Sequence, residues 1–248
     1  MTDKRVVVIT GASGGIGGAI AARVAAADRC VVIHYRERKA EAQAVAERVA
    51  SQGCEAKVIK ADLTDPDQIE ALFDAVQQWY GRGDVLVNNA GPSFSPTRFA
   101  DLSWEEMERH LTAHVGGAFR CTKRALAMMT QHGGGHIVTV LSSFVLGLPP
   151  VQSAHYVTAK YALMGLMKSI GVEASKVGVR VNMVSPYLTR TEMLSGFSPR
   201  FLELLEQQHP LKRLAMPEDV ASAVAYLLSD EARYLNLVNL PMTGGIVA

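Results

Sequence analysis

Hydrophobic and polar positions change their pattern repeatedly along the chain. Short runs rich in β-branched residues recur at 6–10, 31–34, 56–60, 85–88, 136–141 and 179–184, with a weaker one at 237–242. Their near-continuous hydrophobicity predicts strands buried on both faces, as in a parallel sheet. Longer stretches with helical spacing lie between them, at 16–27, 40–50, from Pro66 onward, 104–129 (one long helix or two abutting ones), 155–175 and 217–228. Pro217 stands at a first-turn position, where its missing N–H costs nothing. Repeated β-α alternation predicts an α/β fold: one Rossmann-type, doubly wound domain over 1–248, with about seven mostly or wholly parallel strands flanked by helices. The longest interruption, 186–213, holds a short amphipathic segment at 199–207. It follows the sixth strand, at the sheet end where ligands bind, so a substrate lid is expected at about 187–213.

The first strand runs directly into Thr10-Gly11-Ala12-Ser13-Gly14-Gly15-Ile16-Gly17 and then a helix. Glycines let backbone approach a pyrophosphate, and the helix N-terminus offers free N–H donors. A strand–turn–helix context of this kind points to nucleotide binding. The second strand ends in His34-Tyr35-Arg36-Glu37-Arg38. An acidic residue there would favour the NAD ribose hydroxyl, whereas guanidinium groups suit the 2′-phosphate of NADP. NADP(H) is therefore expected, with NAD as the alternative. Two further strand exits carry Ala61-Asp62-Leu63 and Asn88-Asn89-Ala90-Gly91.

Tyr156 and Lys160 stand at i, i+4 in a helical stretch and share one face. Ser143 precedes Tyr156 by 13 positions at the exit of the fifth strand. Reducing a ketone needs a hydride on carbon and a proton on oxygen. A phenol is a weak acid near pH 7, and a neighbouring ammonium makes it stronger.

The TGxxxGxG turn, the NNAG element and the S-x12-Y-x3-K set occur here in the order that resembles the short-chain dehydrogenase/reductase family, over 6–245. The resemblance implies Tyr156 as general acid, Lys160 tuning it and holding the nicotinamide ribose, and Ser143 binding the substrate carbonyl. It also implies that Gly11, Ser13, Gly15, Ile16, Gly17, Tyr35, Arg36, Asp62, Leu63, Asn89, Ala90, Gly91, Pro186, Tyr187 and Thr191 hold the cofactor. The broadest similarity is to 3-oxoacyl-[acyl-carrier-protein] reductases, with a local similarity to pteridine reductases at 34–42.

Four departures stand out. His114 occupies the position of a family asparagine, as a further candidate in proton transfer. Tyr187 replaces a glycine, Gly14 replaces a basic residue, and Leu237 and Thr243 stand where relatives carry Gly and Asp. His110 and His114 form an i, i+4 pair, but the sequence offers no third ligand, so no metal is expected. His114 and Tyr187 also motivate a second functional class, a cofactor-binding protein with little catalysis.

Composition narrows the partners. Twenty-five basic residues against 24 acidic give a net charge of +1, so neither nucleic acid nor an acidic membrane is attracted in general. No apolar run reaches bilayer-spanning length. Three cysteines without a CxxC pair suit a reducing, cytoplasmic setting. A small carbonyl substrate, free or carrier-bound, is expected, with Lys123, Arg124, Arg190, Arg200 and Lys212 as candidate carrier contacts. Assembly as a homodimer or homotetramer through 104–129 and 155–175 is implied by the resemblance.

Overall fold

In the computed structural model, which describes residues 2–194 and 196–246, β1 (Arg5–Ile9), β2 (Arg29–Tyr35), β3 (Glu55–Lys60), β4 (Val85–Asn88), β5 (Gly135–Val140), β6 (Val179–Pro186) and β7 (Asn239–Met242) form one sheet in the order β3-β2-β1-β4-β5-β6-β7. Every pairing is parallel. The parallel register requires a crossover between neighbours, and the helices supply it: α1 (Gly15–Val24), α2 (Lys39–Ala50), α3 (Pro66–Tyr80), α4 (Trp104–Leu111), α5 (Gly117–Gln131), α6 (Ala154–Ala174), α7 (Pro199–Gln208) and α8 (Pro217–Leu228).

The alternation of strand side chains builds two cores. Val6 and Val8 of β1, with Cys30 and Val32 of β2, pack on one face with Leu72, Phe73, Cys121 and Met167. Val7, Ile9, Val31 and Ile33 point to the other face, against Ile20, Val45 and Val224. This two-sided burial explains why the strands read as unbroken apolar runs. The three cysteines are free and buried in or beside these cores.

Local chemistry sets the helix boundaries. Asp65 caps α3, its carboxylate accepting from the Asp67 and Gln68 amides, and Gly81 ends the helix at φ 74°. The stretch 104–129 divides into α4 and α5 around a wider turn, Thr112–Gly116, closed by the Gly117 N–H donating to the Thr112 carbonyl. Such a turn inserts a residue without breaking the helical path. At the far edge Leu237 adopts φ 62°, in the left-handed region, and its side chain fills the space beside Gly171. That conformation explains the glycine expected there by resemblance.

The 187–213 excursion contains a 3-10 turn, Glu192–Leu194, and the helix α7, with Ser195 outside the described residues. Thr189 pairs with Ala215 in an isolated parallel bridge, and Arg190 donates to Glu206 at 2.8 Å. Among the described residues no helix is long and apolar enough to cross a membrane.

Candidate active site

The chain leaves β1 for β2 on one side and reaches β4 on the other, so a crevice opens above the carboxyl ends of β1 and β4. A cleft of about 740 Å³ occupies it. Gly11, Ser13, Gly15 and Ile16 form its floor. Gly11 and Gly15 have φ of 64° and 52°, values that a side chain would strain. The N-terminus of α1 opens on this floor without a side-chain cap at Gly14, leaving N–H groups available to an anion.

The floor is pinned by a compact hydrogen-bond network. The Thr10 hydroxyl donates to the Val87 carbonyl and accepts from the Asn89 and Ala90 amides at 2.9 and 3.1 Å. The Asn89 carboxamide donates to the carbonyls of Thr10 and Gly11, both at 3.0 Å. Asn89, Ala90 and Gly91 therefore both fasten the first turn and border the cleft. Gly17 acts through packing. A Cβ there would lie 2.6 Å from Asn89 Nδ2 and overlap the Gly11 carbonyl, and the residue does not line the cleft.

Tyr35 corrects the sequence expectation. It belongs to the face of β2 that carries Val31 and Ile33, so its ring is buried beside α1 and α2, away from the cleft. Its neighbours of opposite parity, His34 and Arg36, line the cleft together with Arg38. His34 accepts from the Gly11 amide through Nδ1 at 3.0 Å, and Nε2 lies 2.9 Å from the Ala61 carbonyl, to which it donates as the neutral ring. Burial lowers its pKa and keeps it neutral. Arg38 reaches over Gly14, where its guanidinium lies 3.6 Å from the place of a Cβ. A guanidinium from the loop after β2 thus stands near position 14. Arg38 also forms an ion pair with Glu192 across the cleft. Asp62 and Leu63 line the same end, and Asp62 accepts from the Thr64 amide at 2.9 Å.

At the other end α6 presents Tyr156 and Lys160 to the cleft, and β5 delivers Ser142 and Ser143. Pro186, Tyr187 and Thr191 close the opposite wall. The Tyr187 ring turns toward His209, with centroids 5.9 Å apart. Tyr156 sits in an aromatic box, its centroid 5.4 Å from Phe94, 5.8 Å from Phe144 and 5.5 Å from His114. Lys160 donates to the Val140 carbonyl at 3.0 Å, with Nζ 5.6 Å from the Tyr156 centroid.

Burial dominates the electrostatics. It pushes the Tyr156 phenol up to about 12, opposed by the nearby Ser142 hydroxyl, and pulls the Lys160 amine down to about 8. Burial is the larger influence on the phenol and favours its protonated form. Ser142 and Ser143 both line the cleft beside the phenol, and the Ser142 hydroxyl also accepts from the Phe144 amide at 3.2 Å. His114 is buried in the wide turn between α4 and α5, against Gly91, and burial holds its pKa well below the ordinary value.

Residues 11–247 match the family described as Enoyl-(Acyl carrier protein) reductase. The chain is 32% identical over 241 residues to the 3-oxoacyl-[acyl-carrier-protein] reductase FabG of Staphylococcus aureus, covering 96% of both chains. The chain belongs to the short-chain dehydrogenase/reductase family. It is also similar to an NADPH-dependent aldehyde reductase-like chloroplastic protein of Arabidopsis thaliana, at 33% identity over 98% of this chain and 94% of the relative. A 7α-hydroxysteroid dehydrogenase solved with NADH and 7-oxo glycochenodeoxycholic acid superposes with a TM-score of 0.92 at 28% identity, over 99% of this chain and 95% of the other. As a member of the family the protein is an NAD(P)-dependent oxidoreductase acting between CH–OH and C=O groups.

Proposed function

We propose that the protein is an NADPH-dependent ketone reductase with Tyr156 as general acid. One observation carries this reading: Tyr156 and Lys160 share a cleft with the glycine turn and the uncapped start of α1. In that cleft Gly11, Ser13, Gly15 and Ile16 would hold the pyrophosphate of a dinucleotide, and Asp62 and Leu63 would border its adenine. Asn89, Ala90 and Gly91 border its middle. Lys160, Pro186, Tyr187 and Thr191 would border its nicotinamide end. Bound there, the reduced nicotinamide supplies a hydride.

The residues of the chain supply the rest. Tyr156 gives its proton to the carbonyl oxygen as charge develops there, and Ser142 and Ser143 offer hydroxyl donors to the same oxygen. A phenol held near 12 is in the acid form that reduction needs. Lys160, while protonated, stabilises the phenolate left behind. His114 lies behind the phenol as a group through which its proton is replaced. The excursion 187–213 serves as the substrate lid, since Leu188, Thr189, Glu192 and Leu194 already form part of the cleft wall.

Arg36 and Arg38, paired with the exposed carboxylates of Glu37 and Glu192, would exchange those partners for a 2′-phosphate, to which their forked donors are suited. NADPH is expected to bind more tightly than NADH in fluorescence titrations. Arg36→Ala combined with Arg38→Ala should weaken NADPH by about tenfold or more while leaving NADH little changed. Equal affinities in the parent protein would refute the preference.

The substrate is a small ketone, and a carrier-bound acyl group has weaker support. Of the candidate carrier contacts, Arg124 is paired with Glu70 and Asp74, and Arg190 with Glu206. The pH profile of ketone reduction follows from Lys160. The amine is charged below its pKa and neutral above it, so kcat/KM for reduction should be level below about 8 and decline above it. A profile still rising through pH 9 would contradict the role given to the ammonium.

A further inference from the structure

Beside the cleft, Glu106 and His110, one turn apart on α4, meet His155 of the first turn of α6, which is distant from them in sequence. We propose that they form a binding site for a borderline-soft divalent transition ion, Zn²⁺ being the natural occupant of a two-histidine, one-carboxylate set. One ligand atom from each residue lies within 4.8 Å of the others. Glu106 Oε1 is 3.3 Å from His110 Nε2, and the two imidazole centroids are 4.6 Å apart at 68°. Imidazole with carboxylate is a donor set that selects zinc-like ions over calcium or magnesium.

A second observation points the same way. His110 and His155 are both 0% exposed, yet His110 Nδ1 and both ring nitrogens of His155 have no hydrogen-bond partner. The Ser95 backbone lies near enough to favour a protonated His155 but outside hydrogen-bonding geometry. Buried polar nitrogens left without partners cost free energy, and coordination to a cation relieves that cost. His155 also stacks on Phe94, at 5.6 Å and 23°, which fixes the plane of its ring. The sequence offered His110 and His114 as a pair lacking a third ligand; the fold gives His110 different companions.

The charge now standing at this place is Arg109. It donates to both Glu106 oxygens, at 2.7 and 2.8 Å, and its Nη2 lies 3.2 Å from His110 Nε2. Its side chain is 51% exposed and Glu106 is 30% exposed, so the guanidinium has solvent to swing into and the ion has a route inward. Metal and guanidinium therefore compete for one carboxylate. An ion held there clamps α4 to the turn of α6 that carries Tyr156, one residue beyond His155.

The test uses the untagged, full-length chain, freed of metal by chelator and titrated with Co²⁺ without cofactor or substrate. Its outcome is thereby separate from the reductase assignment. The expected result is visible absorption typical of Co²⁺ bound to imidazole, saturating at one ion per chain and bleached by Zn²⁺. Glu106→Gln and His155→Gln should each weaken binding by about tenfold or more. Arg109→Gln should bind at least as tightly as the parent. Glu106 and Arg109 are partly exposed, so their variants keep the test informative even if His155→Gln is poorly folded. Absence of the bands in the parent, or bands that survive both Glu106→Gln and His155→Gln, would overturn the site, as would loss of binding in Arg109→Gln.

Discussion

Replacing Tyr156 by Phe should lower kcat for ketone reduction by about 10²–10⁴-fold while NADPH binds as in the parent protein. That loss corresponds to about 2.7–5.4 kcal/mol of activation free energy. Phenylalanine keeps the ring, and with it the packing against Phe94, Phe144 and His114. Only the hydroxyl, which lies near Ser142, disappears. The variant thus separates proton donation from the shape of the cleft. Steady-state rates over a panel of ketones, with NADPH titrated by fluorescence, measure both parts. A rate close to the parent's would remove the phenol from the chemistry. A parent that binds NADPH tightly yet turns over no ketone, aldehyde, quinone or pteridine would instead favour a cofactor-binding protein.

The second large effect is expected at a residue that touches no ligand. Gly17→Ala places a methyl group 2.6 Å from Asn89 Nδ2 and on top of the Gly11 carbonyl. Those atoms belong to backbone and to a pinned carboxamide, so neither gives way cheaply. Forcing them apart should cost about 1–3 kcal/mol. In a chain of this size that lowers Tm by about 2–4 °C per kcal/mol. The same displacement breaks the bond from Asn89 to Gly11, so the affinity for NADPH should fall together with Tm. Calorimetry and a binding titration on one sample check the pairing. Unchanged values for both would show that the turn widens freely.

Much of this was legible in the sequence because parallel strands are buried on both faces and must be apolar throughout. The glycine turn, NNAG and the Tyr156/Lys160 pair were legible because each depends on local spacing. What stayed hidden depends on direction in space. Tyr35 and His34 are neighbours in the chain, and the side on which each falls follows from strand parity, which the alternation 31, 33, 35 against 30, 32, 34 could have supplied. The wide turn at Thr112–Gly116 inserts one residue into a helical pattern, too small a change for periodicity to register. Ser142 was passed over because the signature counts to Ser143, yet both hydroxyls line the cleft. His155 went unnoticed because its companions lie on another helix.

The left-handed Leu237 has a consequence for how this sequence can vary. Its backbone conformation is unfavourable for a branched side chain, yet that side chain occupies the volume that Gly171 leaves vacant. Glycine at 237 would ease the dihedral cost and open a hole; a larger residue at 171 would collide with the leucine and with Val181. The two sites are thermodynamically coupled, so an exchange harmful at either alone becomes tolerable when both change at once.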